Sequence, residues 1–144
     1  MCSSDLGADT LAGGAGNDTY SLANGYGADT IQENDATSGN TDVARFLAGT
    51  SKDQVWFRQV GNDLEASIIG TADKFTVQNW YSGSQYHVEQ FKTTDDNKTL
   101  LDSQVAALVS AMSASGVTMP AFGTTSLAQP AYNSVLSAIA ANWQ

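Results

Sequence analysis

The feature that most constrains this chain is a short unit recurring near its start: Gly7-Ala8-Asp9-Thr10-Leu11, Gly16-Asn17-Asp18-Thr19-Tyr20 and Gly27-Ala28-Asp29-Thr30-Ile31 share one Gly-x-Asp-Thr-apolar frame. A unit this short cannot bury its own apolar residue, so its copies must stack. Glycines at alternate positions permit positive φ and a tight bend, and the short segment after them points one apolar side chain inward from a strand. A turn and a strand make half a coil. Every second turn then lies on the same side, at the ~4.8 Å spacing of neighbouring strands. Asp9 and Asp29 are therefore expected to face one another.

Such stacking crowds like charges. At an effective dielectric of ~20, two unit charges ~4 Å apart repel by about 4 kcal/mol. A hard divalent ion reverses the sign, because calcium takes six to eight oxygens at about 2.3 to 2.6 Å and tolerates irregular geometry. Ion uptake and folding then become one event. The charge balance agrees: fifteen acidic against six basic residues give a net charge of -9, which disfavours nucleic acid and anionic membrane and favours cations as partners. The acids open the chain without any Lys or Arg before Arg45, and no charged side chain follows Asp102. Cys2 is the only cysteine, so an internal disulfide is excluded and packing or bound ions must stabilise the fold.

The middle copy is the fullest. Gly13-Gly14-Ala15-Gly16-Asn17-Asp18-Thr19-Tyr20-Ser21 fits the nine-residue G-G-x-G-x-D-x-U-x pattern and resembles the haemolysin-type calcium-binding repeats of the RTX family. The resemblance implies a short parallel β-roll with Ca2+ in its turns. The expected ligands are the side chains of Asp9, Asp18 and Asp29 and the carbonyls of Gly14, Gly16, Gly25 and Gly27, with Glu33 or Asp35 completing the side begun by Asp18. The repeats are imperfect: Asp9 and Asp18 are nine apart, but Asp18 and Asp29 are eleven apart because Leu22 and Ala23 are inserted, so a bulged third turn is expected. Ser4 and Asp5 stand where two glycines belong, and Cys2-Ser3-Ser4-Asp5-Leu6 resembles a translated sequencing-adapter end. Residues 1–6 therefore read as foreign or truncated, and the chain as the C-terminal piece of a longer protein.

From Asp42 to Leu101 the pattern changes to strands separated by polar turns: Val43 to Leu47, Gln54 to Val60, Leu64 to Ile69, Lys74 to Tyr81 and Tyr86 to Lys92. Gly61-Asn62-Asp63-Leu64, Phe75-Thr76-Val77-Gln78-Asn79-Trp80-Tyr81 and Val88-Glu89-Gln90-Phe91 occur in the order of a domain that follows RTX repeats in secreted bacterial proteins. The likeness covers about Gly25 to Leu101 and implies a β-rich cap, which an open stack of strands needs to protect its edge. Trp56, Trp80 and Tyr81 lie in strand-like runs and read as packing residues, with a glycan-binding platform as the rival. His87 is the only histidine, so a His-rich metal site is excluded and any Ser-His-Asp system would have to use it. No G-x-S-x-G is present, and Asp95-Asp96 reads as a solvated turn rather than a glycosidase pair.

In the tail, Asp102 or Ser103 can cap a helix whose Val105, Leu108, Val109 and Met112 share one face, and Gly116 ends it. Pro130 suits the first turn of a second helix carrying Val135, Leu136, Ile139 and Trp143. An uncharged C-terminus in this position resembles the uncleaved signal read by a type I export machine.

The sequence thus predicts a mainly β chain: residues 1–35 a calcium-binding β-roll, 36–101 a β-rich capping domain, and 102–144 a helical secretion tail. The expected function is calcium binding by a secreted or surface-located bacterial RTX-type protein that folds on calcium after type I export. No catalytic residues, nucleic-acid partner or stable membrane insertion are expected. The rival readings are a glycan- or surface-binding adhesin module and the export and stabilising end of a larger hydrolase.

Overall fold

The computed structural model describes residues 2, 3 and 6–144. The foreign segment expected at 1–6 therefore lies partly outside the described residues. The fold is mainly β, with two helices at its C-terminal end. Strands β1 (Cys2–Ser3), β2 (Thr10–Leu11), β3 (Thr19–Leu22), β4 (Ala28–Ile31) and β5 (Val43–Phe46) alternate between two sheets. An antiparallel hairpin follows, β6 (Val55–Val60) and β7 (Asp63–Ile68), and then β8 (Lys74–Val77), β9 (Gln90–Thr93) and β10 (Lys98–Leu101). Among the described residues the first sheet runs β1-β3-β5-β9-β10 and the second β2-β4-β8-β7-β6. Pairing is parallel from β1 through β3 and β5 to β9, and from β2 through β4 to β8. Beyond those strands it turns antiparallel.

The apolar position of the repeat explains this stacking. Tyr20, Ala44, Phe91 and Leu100 stand in register across the first sheet, and each is fully buried. Leu11, Ile31, Val77 and Leu64 stand in register across the second, all buried. The two layers meet through rings such as Phe46 and Phe75, with centroids 5.6 Å apart. Each such side chain removed from water stabilises the fold by about 1.5 to 3 kcal/mol. The inserted Leu22 and Ala23 divide between strand and turn. Leu22 extends β3 to four residues, and Ala23 starts the turn in which Tyr26 N–H donates to its carbonyl at 3.1 Å.

Helix α1 (Asp102–Met112) begins one residue after Leu101, whose N–H donates to Gln104 Oε1 at 3.2 Å, and carries Asp102 in the first turn where a negative charge suits the helix dipole. Helix α2 (Asn133–Asn142) starts after Pro130, which stands in the preceding turn. Val105, Leu108, Met112, Val135, Ile139 and Trp143 join the same core as the strands. The last residue is paired too: Gln144 exchanges two 2.8 Å backbone hydrogen bonds with Thr99 of β10. Two strand readings shorten. Lys74 to Tyr81 stops at Val77 because Asn79 takes a left-handed φ of 59°, and Tyr86 lies in a 3-10 turn before β9. Strand β10 occupies a stretch that the sequence pattern left unassigned.

Candidate metal centre

Strands β2, β3, β4, β5 and β9 share one frame at their entrances: an acid stands two residues before the inward apolar residue. In the first sheet these pairs are Asp18/Tyr20, Asp42/Ala44 and Glu89/Phe91, and the strand register aligns the three acids. Alternation points them to the buried side of the sheet. Asp42 is 1% exposed, its Oδ1 accepts Asp18 N–H at 2.8 Å, and its Oδ2 accepts the Asn40 side-chain amide at 3.2 Å. Glu33, from the turn between β4 and β5, enters the same space and is 3% exposed.

Asp18, Glu33 and Asp42 each bring a carboxylate oxygen within 4.8 Å of the others. Two unit charges at that separation repel by about 3 to 4 kcal/mol at an effective dielectric of ~20. Burial first, and then the negative charges of Asp42 and Asp18, push the Glu33 carboxyl up to about 8. Protonated, it hydrogen-bonds Asp42; ionised, neither of its oxygens has a hydrogen-bond partner. Burial also pushes Asp42 upward, and the Asp18 N–H only partly offsets it. Hard carboxylate oxygens that converge, with Glu33 buried among them and without a donor, are the donor chemistry of a calcium site, whose remaining ligands are carbonyls or water.

The second sheet starts alike and ends differently. Asp9 and Asp29 stack in register, and Asp9 N–H donates to Asp29 Oδ1 at 3.0 Å. Asp29 is 1% exposed, and its Oδ2 is buried without a hydrogen-bond partner. The next position in register is Phe75, because Asp73 enters the sheet two residues further back, opposite Gly27. There its two oxygens accept Gly25 N–H and Gly27 N–H, each at 2.8 Å.

Gly14, Gly16, Gly25 and Gly27 take φ of 91°, 112°, 89° and 106°, the left-handed region that their turns require. A Cβ on Gly27 would overlap the Gly7 carbonyl, and one on Gly13 would overlap the Asp18 carboxylate. The Gly27 carbonyl accepts Lys74 N–H in the strand ladder at 3.0 Å. Asp35 uses its carboxylate on Gly16 N–H at 2.9 Å and Thr37 N–H at 2.9 Å. Hydrogen bonds from Thr37 and Gly16 hold it below the usual carboxylate range. Of the two residues offered to complete the side begun by Asp18, Glu33 is the one that reaches it.

Sequence reasoning missed Asp42, Asp73 and Glu89. Their signal was the acid-x-apolar frame without its glycines, in Asp42-Val43-Ala44, Asp73-Lys74-Phe75 and Glu89-Gln90-Phe91.

Other candidate groups are held by contacts within the chain. His87 holds Asp102 Oδ2 at 3.1 Å and the Trp80 carbonyl at 3.0 Å and stacks on Trp80 with centroids 3.9 Å apart, so neither ring nitrogen is free to act as a base. Trp56 and Trp80 are 3% and 4% exposed, which leaves only Tyr81 of the three aromatics with an open face. Asp95 and Asp96 accept the backbone N–H groups of Gly49 and Lys52 at 2.9 and 3.0 Å and tie two turns together. No helix among the described residues is long and apolar enough to cross a membrane.

Residues 63–95 match the family model of the haemolysin-type calcium binding protein related domain. The chain is also 30% identical over 87 residues to the iron-regulated protein FrpA of Neisseria meningitidis serogroup C, an alignment covering 58% of this chain and 8% of that protein's length. The matched family segment holds β7, β8, β9, Asp73 and Glu89, the part of the chain onto which the repeats stack. The family match gives residues 63–95 a haemolysin-type calcium-binding relation, and the FrpA alignment agrees with an RTX-related protein.

Proposed function

We propose that the chain binds calcium between adjacent coils of a short parallel β-roll, with Asp18, Glu33 and Asp42 as carboxylate ligands, and that ion uptake completes its folding. One observation carries this reading: Glu33 is held among two other acids, and its ionised carboxylate has no donor. A fold that buries such a group without a cation retains either a proton or a large repulsion. Asp9 and Asp29, with the turn carbonyls of Gly25 and Gly27, are a second set of oxygens open to the same ion type on the other edge, while the carbonyls of Gly14 and Gly16 belong to the turn that leads to Asp18. In this reading residues 1–35 carry the repeats, 36–101 cap them and 102–144 carry the export signal of a secreted bacterial protein. Calcium at millimolar concentration outside the cell fills sites that stay vacant during export.

The test is a calcium titration of the chain by calorimetry and far-UV circular dichroism, beside Glu33→Gln and Asp18→Asn. Saturable uptake is expected, with the component at Asp18, Glu33 and Asp42 abolished in Glu33→Gln. Equal heats and equal spectra for all three proteins would discard the reading. For the tail, a reporter fused to residues 102–144 is expected to leave cells only when the exporter is present, and equal release without it would remove the export role.

A further inference from the structure

Glu89 lies outside the repeats, in the segment that matches the calcium-binding related family, yet it occupies the third rung of the first-sheet acid ladder. Its Oε2 accepts Asp42 N–H at 2.6 Å, as Asp42 Oδ1 accepts Asp18 N–H at 2.8 Å. Its own backbone is fixed on both sides. Val88 and Phe91 are fully buried, and the Glu89 carbonyl accepts the N–H of Asp102 at 3.0 Å.

Parallel strand pairing does not call for an acid here. At the matching register of the second sheet stands Phe75, and β4 pairs with β8 through backbone bonds that Lys74 N–H donates to the Gly27 carbonyl and Gln78 N–H to the Ile31 carbonyl, on either side of the Asp29–Phe75 position. A carboxylate at 89 therefore adds negative charge beside Asp42 and Glu33 where the fold could use an apolar residue. That charge costs free energy in the metal-free chain and repays it only beside a cation.

We infer that Glu89 is a positioning residue of the cation centre: it fixes the Asp42 backbone and closes the ladder with a last negative charge, so the capping segment is itself part of the calcium site. This rests on the calcium reading above. The ion joins two stretches of chain, the repeats through Asp18 and Glu33, and the cap through Asp42 and Glu89. Docking of the cap and calcium affinity are then one linked quantity.

The experiment measures the dissociation constant of Ca2+ for the full chain by calorimetric titration, and its unfolding midpoint in a chelator, for wild type, Glu89→Gln, Glu89→Asp and Asp53→Asn as a distant charge control. Gln keeps an oxygen for the Asp42 N–H but removes the charge, and a weakening of about tenfold is expected, since calcium sites are tuned by their count of charges. In chelator the same variant is expected to melt no lower than wild type. Glu89→Asp keeps the charge but retracts it by one methylene, and a severalfold weakening is expected; this variant decides the matter alone if Gln fails to fold. Asp53→Asn should bind as wild type. Wild-type affinity in Glu89→Gln and Glu89→Asp, with lowered melting in chelator, would make Glu89 a purely structural group and overturn the inference while leaving the calcium reading in place. Absence of uptake by wild type would overturn the calcium reading itself, and this inference with it.

Discussion

The two strand-entrance edges of the molecule are built from the same sequence frame and end in opposite electrostatic states. On the first edge the acids Asp18, Asp42 and Glu89 continue through three coils, with Glu33 added among them. On the second, Asp9 and Asp29 are followed by Phe75, while Asp73 has slid by two residues and accepts two backbone N–H groups. A count of acids does not separate these edges. What separates them is how the acid particular to each edge is held: Asp29 keeps one oxygen without a partner on the second edge, but Asp73 there has donors for both of its own, and Glu33 on the first edge has none. Asp73 is a hydrogen-bonded bracket around the Gly25 turn; Glu33 is a buried acceptor without a donor, and only a proton or a cation can complete it.

The largest effect tests the bracket. Asp73→Ala removes the acceptor of both the Gly25 and the Gly27 N–H groups, and each lost hydrogen bond to a charged group costs about 1.5 to 3 kcal/mol. Chemical denaturation should show a loss of about 3 kcal/mol, the same in calcium and in chelator. If the loss appears only in calcium, Asp73 is a ligand and the contrast between the edges disappears.

Next comes the unsatisfied carboxylate. At a hundredfold excess over its dissociation constant, one calcium ion stabilises the folded chain by about 2.7 kcal/mol. Glu33→Gln should lose that whole increment while melting higher than wild type in chelator, because an uncharged amide among acids relieves repulsion. A variant that still gains from calcium would move the centre away from Glu33.

The same residue sets a pH dependence of known sign. Unfolded, Glu33 releases its proton near 4.5; folded and metal-free, it holds it to about 8. Between those values the folded chain binds more protons, so metal-free stability falls as pH rises, by at most about 1.4 kcal/mol per unit. Calcium competes with that proton, and its affinity should rise over the same window. Denaturation in chelator from pH 5 to 8 gives the slope; a flat profile would mean that Glu33 ionises freely without an ion.

Much of this arrangement was legible in the sequence. The Gly-x-Asp-Thr-apolar frame fixes which side chains point inward, and Leu11, Tyr20 and Ile31 do so. The amphipathic patterns from Val105 to Met112 and from Val135 to Trp143 mark two helices that are present. The frame does not reveal where later strands enter. Asp42, Asp73 and Glu89 lack the preceding glycines and follow insertions of unequal length, so their register depends on how Ala44, Phe75 and Phe91 pack against earlier coils. Register is a tertiary property: a slip of two residues preserves the inward face, yet it converts Asp73 from a possible rung into a bracket. The end of β8 was hidden for a local reason, since only the left-handed Asn79 breaks an otherwise strand-like run.

The smallest expected effect separates the two acids that the sequence offered as equals. Asp35 and Glu33 belong to one turn, yet Asp35 is on the surface with its oxygens on Gly16 and Thr37, whereas Glu33 is inside. Asparagine at 35 keeps an oxygen for a backbone donor and removes a charge that solvent already screens. Asp35→Asn should therefore leave the calcium dissociation constant within about twofold of wild type, against the loss of binding in Glu33→Gln. Calorimetric titration of both variants at physiological salt makes the comparison. A large loss in Asp35→Asn would mean that the ion sits at the mouth of the turn rather than beneath it, and the buried group would then be a consequence of packing and not its reason.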